Sequence, residues 1–291
     1  MKNILITFLF IASNTFITAQ VNIKKCITTP LVEQELLTNP DYAKGRASSI
    51  AENIAWIKAS HSEKITLNIP VVIHIIHKNT HSNIGSGTNI PVIQIEDALR
   101  ILNEDYSKTN PEFPNPPRNT FLNYWGNPDM KFCLATIDPD GNPTSGITRT
   151  STTIINWDAD DSFESNAMKK TANGGIDSWN PSKYLNMWIC DLTNSNGGGM
   201  TLGYAYLPGL PSNSWDDQTW KDGLVVDYRY FGTVGIAAPS SDGKTATHEI
   251  GHYLGLKHTF AEGGVWNGVA YGCADSQGNL ICCDNDNNNS G

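Results

Sequence analysis

Residues 69–77, Ile-Pro-Val-Val-Ile-His-Ile-Ile-His, are almost wholly apolar and β-branched. Such a run suits a strand buried on both faces of a mostly parallel sheet. Four further stretches read as strands: 130–137, which alternates; 184–190; 203–208, an edge strand stopped by Pro208; and 223–227. Helical spacing appears elsewhere. Val92, Ile95, Leu99, Leu102 and Tyr106 form one stripe over 92–106, with Pro91 at its start. Leu31, Leu36 and Leu37, then Ile50, Ile54, Ala55 and Ile57, predict two more helices that Asn39-Pro40 separates. Ser240-Ser241-Asp242 offers N-caps for a last helix. There are no internal repeats. The pattern predicts an α/β protein: a twisted, mostly parallel five-stranded sheet with a helix beneath it, preceded by a small helical unit.

That last helix carries the candidate chemistry. Residues 248–258 read His248-Glu249-Ile250-Gly251-His252-Tyr253-Leu254-Gly255-Leu256-Lys257-His258. Histidines four apart on a helix project from one face, so their imidazoles can meet on one ion. Gly255 accepts φ > 0 and lets the chain leave the helix sharply, which returns His258 as a third ligand. Three histidines with an open fourth position suit catalytic Zn²⁺. Glu249 is not needed as a ligand and is placed to act as a general base toward a water. His74 and His77 have no third ligand at useful spacing and read as satisfied strand histidines.

The motif His-Glu-x-x-His-x-x-Gly-x-x-His is similar to the signature of the metzincin metallopeptidases. Thr245-Ala246-Thr247 before it and Thr259-Phe260 after it resemble the pappalysin family. So do Leu102-Asn103-Glu104-Asp105-Tyr106, the stretch through Gly146-Ile147-Thr148-Arg149, and the pattern from Lys25-Cys26 to Asp41-Tyr42. The resemblance spans roughly residues 24–275 and implies a metzincin-type zincin that hydrolyses peptide bonds. It implies that the edge strand takes the substrate by strand addition. It also implies that Cys26, in a pro-segment, occupies the open zinc position of a zymogen; from the residues alone, a disulfide or an idle thiol stays open. Metzincins place a methionine turn beneath the zinc histidines. The methionines here are Met1, Met130, Met168, Met187 and Met200, none of them after His258. The expectation is therefore a catalytic domain whose lower subdomain is missing, as a fragment of a longer product or by natural loss.

Composition narrows the setting. The formal net charge is −9 over 291 residues, which argues against nucleic acid and anionic membrane surfaces as partners. Lys2 followed by the short apolar run 4–12 reads as a secretory signal, 1–19, too short for a stable membrane anchor. The expected organisation is this signal, a pro-segment over 20–64 ending in a polar, cleavable stretch, and a catalytic domain over 65–291. Export permits disulfides. Cys133 and Cys190 read as buried thiols or one bridge, while Cys273, Cys282 and Cys283 crowd the tail. That tail holds Glu262, Asp275, Asp284 and Asp286 in Gly-rich sequence without Lys or Arg, which suits either Ca²⁺ or a solvated acidic loop; the resemblance implies calcium after the zinc motif. The leading reading is a secreted zinc endopeptidase made as a zymogen, acting on proteins or peptides. A non-catalytic secreted zinc-binding module, an inactive fragment and a zinc hydrolase of non-peptide substrates are the alternatives, and the carboxylate of Glu249 favours the first.

Overall fold

The structure is a computed structural model, and it describes residues 22–24, 26–59, 66–113, 122–123, 125–207, 209–211, 217–258, 263–266 and 269–272. The expected signal over 1–19, the acidic residues Glu262, Asp275, Asp284 and Asp286, and the tail cysteines Cys273, Cys282 and Cys283 lie outside the described residues.

The elements follow in order: β1 (Asn22–Lys24), α1 (Thr28–Thr38), α2 (Pro40–Lys58), β2 (Leu67–Lys78), α3 (Val92–Tyr106), β3 (Met130–Leu134), β4 (Ile147–Thr152), α4 (Glu164–Ala167), β5 (Leu185–Cys190), β6 (Gly199–Thr201), β7 (Gly203–Ala205), β8 (Leu224–Asp227), α5 (Thr245–Tyr253), β9 (Gly263–Trp266) and β10 (Val269–Gly272). The main sheet runs β3-β2-β5-β8-β7. All its pairs are parallel except β7 on β8, which is antiparallel. The sheet is five positions wide but holds six strands. On the side of β2 away from β5, β3 pairs with Leu67–Val71 and β4 with Ile73–Lys78, end to end. The strand expected over 130–137 therefore stops at Leu134, and the chain loops out and rejoins β2. Ala135 donates to the Val71 carbonyl and Ile73 to that of Gly146, so both sides of the break stay paired.

The long apolar run is the central strand. Val71, Ile73 and Ile75 face one core with Ile95, Leu99 and Leu102 of α3 and Ala246 and Ile250 of α5. Ile76 faces the other with Trp188, Val225, Tyr204 and Tyr206. Burial on both faces explains why this segment reads as continuous rather than alternating. Val92, assigned above to the stripe of α3, is 42 % exposed; it opens the first turn, beyond the edge of the sheet-facing side. Tyr106 is partly buried and extends the stripe.

His74 and His77 are satisfied, as expected. Asn186 Oδ1 already accepts from the Trp179 amide, so His74 Nε2 donates to it at 3.1 Å, and Nδ1 accepts from Thr148 Oγ1 at 2.8 Å. His77 Nδ1 meets the Lys78 carbonyl. Burial holds the pKa of His74 down, to about 4. The unfolded chain binds this proton near pH 6.5, so the folded state is fully favoured above that pH and loses roughly 3 kcal/mol as pH falls toward 4. His74→Gln should lose less stability than the native chain between pH 7 and pH 4.5, measured as the shift of the urea midpoint. Equal losses would show that His74 does not titrate there.

Asn39 separates α1 from α2, and its Oδ1 accepts from the Tyr42 amide as the cap of α2. The two helices are anchored only in part. Ile27, Leu31 and Tyr42 are buried, and a Cβ on Gly45 would stand 2.0 Å from the Gly209 carbonyl oxygen, so α2 meets residue 209 backbone to backbone. Farther along, Ile50, Ile54, Trp56 and Ile57 are exposed. Pairing of β1 with β6, parallel and in register from Asn22–Gly199 to Lys24–Thr201, had no sequence signal. The β9–β10 hairpin lies beside α1. Among the described residues, no helix is long and apolar enough to cross a membrane.

Candidate functional site

Helix α5 is short and held on several sides. Ala246 and Ile250 pack under the sheet. Tyr106 of α3 donates to the Thr247 carbonyl, and Asp105 takes both Thr247 Oγ1 at 2.6 Å and Lys244 Nζ at 2.7 Å. Tyr253 donates to Asp222, whose carboxyl burial pushes up to about 6. The expected N-caps serve a different turn. Ser241 accepts from Gly243 and Asp242 from Lys244, while the helix itself begins after Lys244 with no side-chain cap. The chain needs those acceptors one turn earlier, where it bends into the helix.

The other end of α5 behaves as the motif predicts. Gly255 has φ +93°. Its amide donates to the His252 carbonyl and that of Leu256 to Gly251, which is the Schellman termination that only a residue without Cβ adopts cheaply. The turn delivers His258 to the helix face. The Nε2 atoms of His248, His252 and His258 lie 3.0 Å from one another in all three pairs. Nitrogens about 2.1 Å from a tetrahedral ion stand about 3.4 Å apart, so this triangle has the size of a zinc ligand set. The tautomer also fits. His252 Nδ1 lies 2.9 Å from the Leu256 carbonyl, which can only accept, so Nδ1 carries the proton and Nε2 presents a lone pair inward. Converging lone pairs suit a cation.

Cys26 Sγ joins this group; the four ligand atoms lie within 4.8 Å of one another. Among the described residues no other group of His, Cys, Asp or Glu side chains is so placed. Burial, with the Glu249 carboxylate next, pushes the Cys26 thiol up; a cation in the histidine triangle is what would draw a thiolate from it. Cys26, Cys133 and Cys190 are all free thiols, so the bridge left open for Cys133 and Cys190 does not form.

Glu249 is fully buried, and its pKa is pushed up to about 8 by burial, opposed by hydrogen bonds from Thr28 and Cys26. Thr28 Oγ1 donates to Glu249 Oε2 at 3.0 Å, and Cys26 Sγ lies 3.6 Å from the same oxygen. Strand β7 passes directly above. A Cβ on Gly203 would come within 3.0 Å of Glu249 Cγ and of Thr245 Cγ2, so glycine here lets the strand approach the carboxylate. Sequence reasoning missed Gly203 and Thr28, since both act through contacts distant along the chain.

Residues 24 and 26–28 run beside β7 in the same direction. The Leu202 amide donates to the Lys24 carbonyl, and the Ala205 amide to Thr28 Oγ1. A cavity of about 700 Å³ remains beside this seal, lined by Ile23, Cys26, Tyr230, Lys244, His248 and Glu249 among others.

Comparison with known proteins gives a consistent result. The family described as pregnancy-associated plasma protein-A matches residues 169–290. An extracellular metalloprotease of Arthroderma gypseum is 25 % identical over 223 residues, covering 75 % of this chain and 58 % of that protein. One from Neurospora crassa is 28 % identical, covering 84 % and 66 %. The chain thus spans less than two thirds of these relatives' length. Among solved structures, a glutamate-to-alanine variant of Tannerella forsythia promirolysin superposes with TM-score 0.64 at 33 % identity, covering 82 % of this chain and 71 % of that one. Mature mirolysin in complex with a cleaved peptide gives TM-score 0.57 at 36 % identity, covering 69 % and 67 %.

Proposed function

Because this chain belongs to the pappalysin family of metallopeptidases, we propose that it is a secreted zinc endopeptidase made as a zymogen. The observation that carries the reading is the convergence of three imidazole Nε2 atoms, each 3.0 Å from the others, beside a buried glutamate that is not one of the ligands. His248, His252 and His258 would hold Zn²⁺. A bound zinc ion would supply an acidified water and a Lewis acid for the scissile carbonyl. Glu249 is the general base; it takes the proton from the water and returns it to the departing amine. Its elevated pKa places it near neutrality while the pro-segment is docked. The His252–Leu256 hydrogen bond holds one ligand ring in orientation. The outer edge of β7 offers the amide of Ala205 to an extended peptide once Thr28 has gone.

With His248, His252 and His258, Cys26 would hold zinc in the latent form. Thr28 adds a second lock, since one hydroxyl occupies both the general base and the strand edge. The apolar run at 4–12 and the relatives named extracellular support export. Glu262, Asp275, Asp284 and Asp286 would serve as calcium ligands, a reading supported by the acidic, Gly-rich sequence there and by the resemblance.

The test is digestion of unfolded casein by the activated protein, with products sequenced by mass spectrometry. New termini at internal peptide bonds are expected. Intact casein, with zinc bound stoichiometrically, would instead favour the non-catalytic zinc-binding module.

A further inference from the structure

The pro-segment does more than cover the histidines; it also fills a binding surface along the upper face of β7. Ile27 and Leu31 are both 2 % exposed and pack in one cluster with Trp157, Met168, Tyr204 and Tyr206. One turn beyond Leu31, Glu35 Oε1 meets Lys221 Nζ at 2.9 Å, with the two side chains only 16 % and 15 % exposed. Lys221 Nζ also donates to Gln218 Oε1 at 2.8 Å. The position of Lys221 is fixed from below. The fully buried Lys169 donates Nζ to the Lys221 carbonyl at 2.7 Å and lies over the rings of Trp188, Tyr204 and Tyr206. Lys170 stacks on Trp220 alongside. In a chain of net charge −9, this is a local gathering of lysines.

The spacing matches a peptide in the cleft. Thr28 sits on the Ala205 amide and Glu35 follows it by seven residues of helix, a rise of about 10 Å. An extended peptide covers the same distance in about three residues. The carboxylate of Glu35 therefore stands where a side chain of a bound peptide would fall. Resting on the peptidase reading above, we infer that Lys221 is a specificity-determining residue. When the pro-segment leaves, its ammonium pairs with an acidic side chain of the substrate about three residues from the one bonded to Ala205, and the Ile27–Leu31 socket takes an apolar residue between them.

The test uses the full chain, activated by cleavage of its pro-segment. Peptides of one apolar frame carry Glu, Gln or Lys at each position in turn on either side of the cleaved bond. In the Glu249→Ala background peptides are not turned over, and fluorescence anisotropy reads binding alone; in the native background the readout is kcat/KM. At one position Glu should exceed Gln by about fivefold in both readouts, as for a half-buried ion pair. Lys221→Ala should abolish that preference and Lys221→Glu should turn it toward Lys, with the all-neutral peptide changed by less than about twofold. No position that prefers Glu, or a preference that survives Lys221→Ala, overturns the inference. Because anisotropy does not need turnover, failure of the peptidase reading would appear separately, as binding without cleavage.

Discussion

Replacing Glu249 by alanine is expected to leave one zinc ion per chain and to lower peptide hydrolysis by a factor of about 10² or more, as for loss of a general base. The two effects separate because the carboxylate lies beside the ligand set and outside it. The three histidine nitrogens are already mutually spaced for an ion. Glu249 makes its hydrogen bonds instead with Thr28 and Cys26. The substitution also removes a buried carboxyl from beneath Gly203, so the fold should tolerate it. Zinc content by native mass spectrometry and casein cleavage by the activated variant give the two readings. Activity within tenfold of the native enzyme would remove Glu249 from its role, and loss of zinc would make it a ligand.

Cys26→Ala should shorten the life of the latent form by at least about tenfold. A thiolate is among the stronger zinc ligands, and its loss leaves the pro-segment held by Thr28, by the buried Ile27 and Leu31 and by the Glu35–Lys221 ion pair. Thr28→Val should act in the same direction but less. It deletes two hydrogen bonds, the one to Glu249, about 1.5–3 kcal/mol when it meets a charged group, and the one from the Ala205 amide, while keeping the shape of the side chain. Following pro-segment cleavage by gel over time distinguishes the two. If native chain and Cys26→Ala mature at one rate, Cys26 does not cap the ion.

The site was legible where it is local. The histidine spacing, the escorting Glu249 and the left-handed turn at Gly255 all lie within one helix and its exit, so sequence offsets translate directly into geometry. The central strand was legible because burial on both faces makes it apolar apart from His74 and His77, whose ring nitrogens are hydrogen-bonded. What the residues alone did not reveal depends on partners far along the chain. Thr28 reads as an ordinary helix start until the Ala205 amide and Glu249 are placed around its hydroxyl. The break between β3 and β4 is set by their shared pairing with β2, since two short strands occupy the length that one long strand supplies. Nothing in the sequence marks Lys169 as buried; the Lys221 carbonyl and the rings of Trp188, Tyr204 and Tyr206, brought from two other strands and the turn after them, make its burial bearable. The N-cap expectation failed because the polar run 240–242 is used by a turn just before the helix.

The most direct measurement of the zinc peptidase account is cleavage of fluorescent casein by the activated protein in three successive states: as isolated, after removal of metal with 1,10-phenanthroline, and after one equivalent of Zn²⁺ is restored. Cleavage should be present, then absent, then recovered, with the metal-free chain still folded by circular dichroism. Cleavage that continues at full rate in the metal-free state would contradict the assignment of His248, His252 and His258 as the ligands of a catalytic ion.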